Sequence, residues 1–296
     1  MRISPTPTDP GIVAGTPRKP RDDEVEAFGL THQGKVRPDN QDHFLLCSLH
    51  KTMRVHATSL PAPELLEVPS ERLAFIGMVA DGVGGAPAGE AASRAALETI
   101  ALYITHTMRC YYTNDPTEEA VFLEALRAAA KEGHEALLAG ARQDPGLEGM
   151  ATTLTLGIGV WPVCYVLHVG DSRFYRLLRD GRLEQLTRDQ TMAQDLVDSG
   201  LLPPQQARQT PLANILSSSI GGTSRPEVSS FDLSVSGAVL LCTDGLTKHV
   251  PDERIRERLL GMTSCEQACR ALVDDALDAG GTDNVTVVAV RAVRRE

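Results

Sequence analysis

The sequence predicts an α+β protein built on antiparallel sheets. Two observations point there. Apolar stretches of strand length open and close the chain, while two long stretches between them carry helical spacing. Strands and helices do not alternate regularly, as a parallel sheet with crossover helices would require. With 296 residues, 42% of them hydrophobic, the chain can bury a sizeable core as one large domain or two small ones. Aromatic residues make up only 4%, so that core rests on Ala, Val, Leu and Ile.

The elements follow in order. Residues 1–24 hold Pro5, Pro7, Pro10, Pro17 and Pro20 and few large apolar groups, which reads as a disordered arm ahead of a domain over 25–296. Residues 28–31 and 44–47 are short strands, 50–70 are irregular around Pro61, Pro63 and Pro69, and 73–80 is a strand running into Asp81-Gly82. Ala92, Ala96, Ile100 and Ile104 recur every four residues and predict a helix over 88–108. Phe122, Leu126 and Ala130 do the same for 117–139, with Pro116 as its start signal. The period then falls to two: 163–169 and 174–178 are strands, and Asp180-Gly181 turns into 183–186. Residues 188–226 are polar and broken by Pro203, Pro204, Pro211 and Gly221-Gly222, a mobile excursion with short helices. A strand over 239–242, a helix over 266–279 and a strand over 285–290 complete the chain.

Several function classes recede. A formal net charge of -10 disfavours nonspecific binding to nucleic acid or anionic membranes. The first residues lack the apolar run of a secretory leader. Residues 150–170 carry no charge and have the length of a membrane span, but Gly157, Gly159, Pro162 and three threonines make them two buried strands joined by a turn. The six cysteines form no CxxC pair, so reduced structural thiols in a cytoplasmic protein are expected.

The chemical signal is aspartate at the edges of apolar strands. Asp42 precedes 44–47, Asp81 ends 73–80, Asp171 follows 163–170, Asp244 ends 239–242 and Asp283 precedes 285–290. If the strands share a core, their ends can converge. Clustered carboxylates repel, and divalent cations relieve that better than protons do. Hard oxygen ligands without nearby Cys or His select Mg²⁺ or Mn²⁺ over Zn²⁺. Arg37, five residues before Asp42, can match two phosphate oxygens with one guanidinium.

Six motifs in order then carry a resemblance. They are 37–42 (RPDNQD), 81–85 (DGVGG) with 89–93 (GEAAS), 149–153 (GMATT), 169–173 (VGDSR), 242–247 (CTDGLT) and 281–286 (GTDNVT). The chain resembles the metal-dependent protein phosphatase family, the type 2C serine/threonine phosphatases, in its bacterial form. The resemblance implies a four-layer αββα sandwich of two antiparallel sheets flanked by helices, with a two-metal site at one end. It implies hydrolysis of phosphoserine and phosphothreonine monoesters by a hydroxide bridging two Mg²⁺ or Mn²⁺ ions, on proteins phosphorylated by bacterial serine/threonine kinases. Carried over, Asp81 would bridge both metals, the Gly82 carbonyl would bind one, and Asp244 and Asp283 would complete the other's shell. Asp42 would act through water, Asp171 would hold a third, weaker ion, and Arg37 would grip the phosphate. Residues 188–226 would form a flap beside the site, and the protein would act as a monomer without membrane insertion.

Some positions depart from the family. Gln41 stands where many members have Glu, and Val83 where animal members have a His proposed as a general acid. Ala86-Pro87 and Gln190 replace two further common histidines. The eight histidines form no metal spacing and read as ordinary surface or core residues. An esterase reading of Gly170-Asp171-Ser172 lacks a later His base, and the glycines of 82–89 lack the Lys-Ser/Thr of a P-loop. The alternative of a different class is a catalytically inactive phosphatase fold that binds a partner. Its signature, loss of Asp81, Asp244 or Asp283, is missing here.

Overall fold

Alternate positions along a strand face opposite sides of a sheet, and that period sorts the side chains of this molecule into layers. The computed structural model describes residues 18–53, 68–85, 87–107, 116–223, 226, 228–234 and 237–293. Its strands are β1 (Val25–His32), β2 (Asp42–Met53), β3 (Val68–Val83), β4 (Ala151–Thr152), β5 (Leu154–Val160) and β6 (Val163–Val169). They continue with β7 (Arg173–Leu177), β8 (Leu183–Gln185), β9 (Ser229–Ser234), β10 (Ala238–Cys242) and β11 (Val285–Ala292). The helices are α1 (Ala88–Thr107), α2 (Pro116–Gln143), α3 (Met192–Asp198), α4 (Pro204–Ala207), α5 (Asp244–Thr247), α6 (Asp252–Leu260) and α7 (Cys265–Asp278).

One sheet runs β1-β11-β10-β7-β8 and the other β2-β3-β5-β6-β9, with β4 beside β3. The pairings are antiparallel. On one face of the second sheet, Ile76, Met78 and Ala80 of β3 and Leu154, Leu156 and Ile158 of β5 meet Ala92, Ala96, Ile100 and Ile104 of α1. The intervening side chains, Val79, Val166, Phe174, Leu241 and Val288, lie between the two sheets. Leu240, Cys242, Val287 and Ala289 face the other way and pack on Ala268, Cys269, Leu272 and Val273 of α7. The result is the expected order of helices, sheet, sheet and helices.

Several boundaries move. Strands β2 and β3 extend through residues expected to be irregular, and Pro69 falls where the β2–β3 register breaks between Lys51 and Met53. A proline is tolerated at such a break because its missing N–H costs no ladder bond there. Of the expected arm, residues 18–24 are described, and they make specific contacts although most are exposed. Asp22–Glu24 forms a single 3-10 turn, Glu24 is buried, and Arg18 Nη2 donates to Glu24 Oε1 at 2.7 Å. Arg72 Nη2 donates to the Pro20 carbonyl at 2.7 Å. Burying Glu24 takes charged partners, Arg18 and Arg21, while the Arg72 bond ties the chain ahead of β1 to β3. Residues 1–17 lie outside the described residues.

Both ends of the 188–226 excursion are pinned beside aspartates, at Gly170 before Asp171 and at Thr152, which pairs with Gly82. Gln190 N–H donates to the Gly170 carbonyl at 2.7 Å, and Gly170 N–H donates back to Gln190 Oε1 at 2.8 Å. Thr152 and Ile220 exchange two backbone bonds of 2.9 Å. Cys47, Cys164, Cys242, Cys265 and Cys269 are free thiols, while Cys110 lies outside the described residues. Among the described residues no helix is long and apolar enough to cross a membrane.

Candidate active site

The five aspartates stand at the ends of different strands, and the fold brings those ends together. Asp42 and Asp81 are direct partners across β2 and β3. Phe44 and Leu46 on β2 and Val79 on β3 face the inter-sheet layer, so the period of two aims both carboxylates at the end of that layer. Asp171 follows β6 through Gly170, whose φ of +105° turns the chain in a conformation that favours glycine. Asp244 follows β10, and Asp283 precedes β11, the neighbour of β10. The turns bearing these last two abut: a Cβ on Gly245 would lie 1.8 Å from the Asn284 carbonyl oxygen. Only a glycine permits that approach.

Arg37, Asp81, Gly82, Asp171, Asp244 and Asp283 all line one cavity of about 810 Å³. Asn214, Ile215, Leu216 and Ser219 of the excursion form part of its wall, and Val83 is exposed within it. Asp42 lies beneath the lining, 2% exposed. Its Oδ2 accepts from Thr243 Oγ1 at 2.7 Å and from Thr286 Oγ1 at 2.8 Å. Its Oδ1 is buried with no hydrogen-bond partner, and so is Asp244 Oδ1. Asp81 is held through its backbone, with its N–H on Thr153 Oγ1 at 3.0 Å and its carbonyl on Thr152 Oγ1 at 2.8 Å.

The electrostatics are those of crowded acids. Burial raises the Asp42 pKa to about 7 against the pull of Thr243 and Thr286, and Asp244 and Asp283 add to the rise. Burial, then Asp42, Asp244, Asp171 and Asp283, push Asp81 well above the carboxylate range. Burial and the charges of Asp244 and Asp189 do the same to Asp171. Asp283 goes the other way. Burial opposes its charge, but bonds from Lys248 and Arg37 outweigh that and hold its pKa below the ordinary value.

Lys248 and Arg37 occupy the carboxylates at this edge. Lys248 Nζ lies 2.5 Å from Asp244 Oδ2 and 2.7 Å from Asp283 Oδ2. Arg37 Nε lies 2.8 Å from Asp283 Oδ1, and Arg37 Nη2 lies 3.0 Å from Oδ2. In this arrangement no group of three His, Cys, Asp or Glu side chains among the described residues stands ready to hold a metal ion. The donor set nonetheless suits a hard divalent cation. It is all oxygen, two carboxylate oxygens are buried without partners, and acids with raised pKa values gain most from a cation that replaces their protons.

Sequence reasoning missed the supports. Asn284, 5% exposed, donates through Nδ2 to the carbonyls of Gln33 at 2.8 Å and Asp39 at 2.9 Å, and accepts from Gln41 N–H at 2.9 Å. It fastens the loop that carries Arg37 to the start of β11. Thr243 and Thr286 were visible only as neighbours of aspartates, with no sign that both reach Asp42. Lys248 had a legible signal, since four residues from Asp244 is one helical turn. A second, mainly apolar cavity of about 110 Å³ opens between the sheets near Phe75, Trp161 and Val239, where Gly77 and Gly159 leave side-chain space. No cluster of acids faces it.

The family model described as protein phosphatase 2C matches residues 67–279. The chain is 38% identical over 216 residues to the serine/threonine protein phosphatase PstP of Mycobacterium tuberculosis (strain H37Rv), covering 73% of this chain and 40% of that protein. It thus spans well under half the length of PstP. It is 31% identical over 268 residues to the protein phosphatase PhpP of Streptococcus pneumoniae (strain D39), covering 90% of this chain and 97% of that one. The crystal structure of the PstP catalytic domain in complex with two manganese ions superposes with a TM-score of 0.68 at 30% identity, over 91% of this chain and 99% of that one.

Proposed function

This chain belongs to the protein phosphatase 2C family, and from that premise we propose that it is a metal-dependent protein serine/threonine phosphatase. The observation that carries the proposal is the convergence of Asp81, Asp171, Asp244 and Asp283 with Arg37 on one cavity, above the buried Asp42. Asp81, the Gly82 carbonyl, Asp244 and Asp283 would hold a pair of Mg²⁺ or Mn²⁺ ions. Asp42 would act from below, and Asp171 would serve a third, weaker ion. Two such ions, when bound, supply an activated water at neutral pH and neutralise the charge of a phosphate.

The rest of the work falls to the chain itself. Thr243 and Thr286 orient Asp42 by donating to a single oxygen, which leaves the other buried without a partner. Asn284 fixes the Arg37 loop. The Arg37 fork, engaged with both oxygens of Asp283, has the geometry to grip two phosphate oxygens. Val83, where animal relatives carry a proposed acid, has no proton to give. The substrates would be proteins phosphorylated by bacterial serine/threonine kinases, met by a monomer in the cytoplasm. That setting fits the five free cysteines. Residues 188–226 would act as a flap over the substrate, and 25–296 as the catalytic domain.

Purified protein should hydrolyse p-nitrophenyl phosphate and phosphothreonine peptides with Mn²⁺ or Mg²⁺ and stop in excess EDTA. Undiminished turnover in chelator would sink the two-metal reading, and no turnover under any metal would favour the inactive partner-binding alternative. Arg37→Ala should raise KM for both substrates roughly tenfold with a smaller change in kcat, the pattern of a lost contact made equally to ground and transition state. Kinetics matching the unaltered protein would take Arg37 off the phosphate.

A further inference from the structure

Lys248 has no part in the reaction above, yet it sits inside the carboxylate cluster. It ends helix α5, one turn after Asp244. Its ammonium bonds Asp244 Oδ2 at 2.5 Å and Asp283 Oδ2 at 2.7 Å, so it bridges the two turns that Gly245 lets abut. It also lines the same cavity as Arg37 and Asp81. Two acids joined through one cation is the arrangement a divalent ion would impose on them.

The bridge has an electrostatic reason. Without a cation, Asp244 and Asp283 would repel across a partly dry cleft, where charges are weakly screened. One ammonium and the Arg37 guanidinium balance them. A divalent ion at the same oxygens would meet that ammonium at close range, and the two cations cannot both stay. The oxygen of Asp244 that Lys248 leaves alone, Oδ1, is buried without a partner, so an incoming ion has a first foothold before the ammonium departs.

We propose that Lys248 is a built-in counter-cation that takes the place of a divalent ion between Asp244 and Asp283, and that metal loading requires its ammonium to leave. The inference rests on the metal-dependent reading above. It makes Lys248 a residue that sets metal affinity: an ion seated between Asp244 and Asp283 must displace two ion pairs. The metal-free protein gains cohesion at its open end, and the loaded protein gains a freed cation at the rim of the cavity.

The test is Mn²⁺ binding by titration calorimetry on the full chain, alone and as Lys248→Met and Lys248→Gln. Both variants should bind Mn²⁺ about tenfold more tightly than the unaltered protein. Their melting temperature in chelator should be lower, and the rise on adding Mn²⁺ larger. Equal or weaker binding by well-folded variants would overturn the proposal, because a lysine that merely braces Asp244 gives that result. The unaltered protein supplies a second reading should the variants not fold. In its Mn²⁺-bound structure, Lys248 Nζ should stand beyond 4 Å, the ordinary ion-pair limit, from both carboxylates, and two retained contacts would overturn the idea. Failure of all three proteins to bind Mn²⁺ would remove the metal-dependent reading and the counter-cation with it, whereas equal binding removes the counter-cation alone.

Discussion

Asp81→Asn should lower kcat/KM for p-nitrophenyl phosphate by at least about 10² at saturating Mn²⁺ while holding or raising the melting temperature in chelator. The two effects come from one carboxylate. Burial and four neighbouring acids push its pKa well up, so the folded protein works against its charge. Asparagine has the same shape and no charge, and the backbone bonds to Thr152 and Thr153 do not involve the side chain. The fold therefore keeps its supports and loses a repulsion, while the site loses the carboxylate proposed to join its two metals. Stability and activity should move in opposite directions, as they do where a fold carries strain for the sake of its site. The check is a paired measurement of turnover and thermal unfolding. Near-normal turnover would show that Asp81 is not a ligand, and a large fall in melting temperature would show that its charge is not a burden.

Gly245→Ala should cost about 3 kcal/mol of stability, at the upper end for overpacking. The obstacle is the Asn284 carbonyl oxygen at 1.8 Å from the new methyl carbon, a backbone atom that cannot swing aside. Asn284 is also tied to Gln33, Asp39 and Gln41, so a retreat of its backbone would disturb three further bonds. Urea unfolding in chelator should show the lowered midpoint. The protein that remains folded should bind Mn²⁺ poorly, because Asp244 and Asp283 would be forced apart. An unchanged midpoint would mean that the two turns are not in contact.

Much of this was legible because hydrophobic period reports layers. Residues 163–169 alternate because one face joins the core under α1 and α2 and the other meets the β1-β11-β10-β7-β8 sheet. The elements that escaped carry little sequence pattern. Strand β9 reads Ser-Ser-Phe-Asp-Leu-Ser and lies at a sheet edge, where one neighbour supplies the pairing and no apolar pattern is needed. Helix α6 is mostly charged and buries only Ile255 and Leu259, a spacing too sparse to stand out. At the site, the aspartates announced themselves by standing at strand ends, but which of them would be neighbours depended on register. The pairing of Asp42 with Asp81, the two threonines on one Asp42 oxygen and the contact of Lys248 with Asp283 all cross between segments distant in sequence. No local pattern encodes them.

The direct opposition of Asp42 and Asp81 across β2 and β3 has a consequence for folding fidelity. A slip of one residue in either strand would turn every side chain on it to the other face. Phe44 and Leu46, or Val79, would leave the inter-sheet layer in the same movement that carried an aspartate out of the site. The packing that decides whether the sheets close thus proofreads the alignment of the acids. A chain that has assembled its core has already aligned these two acids, and a misregistered chain cannot bury that layer.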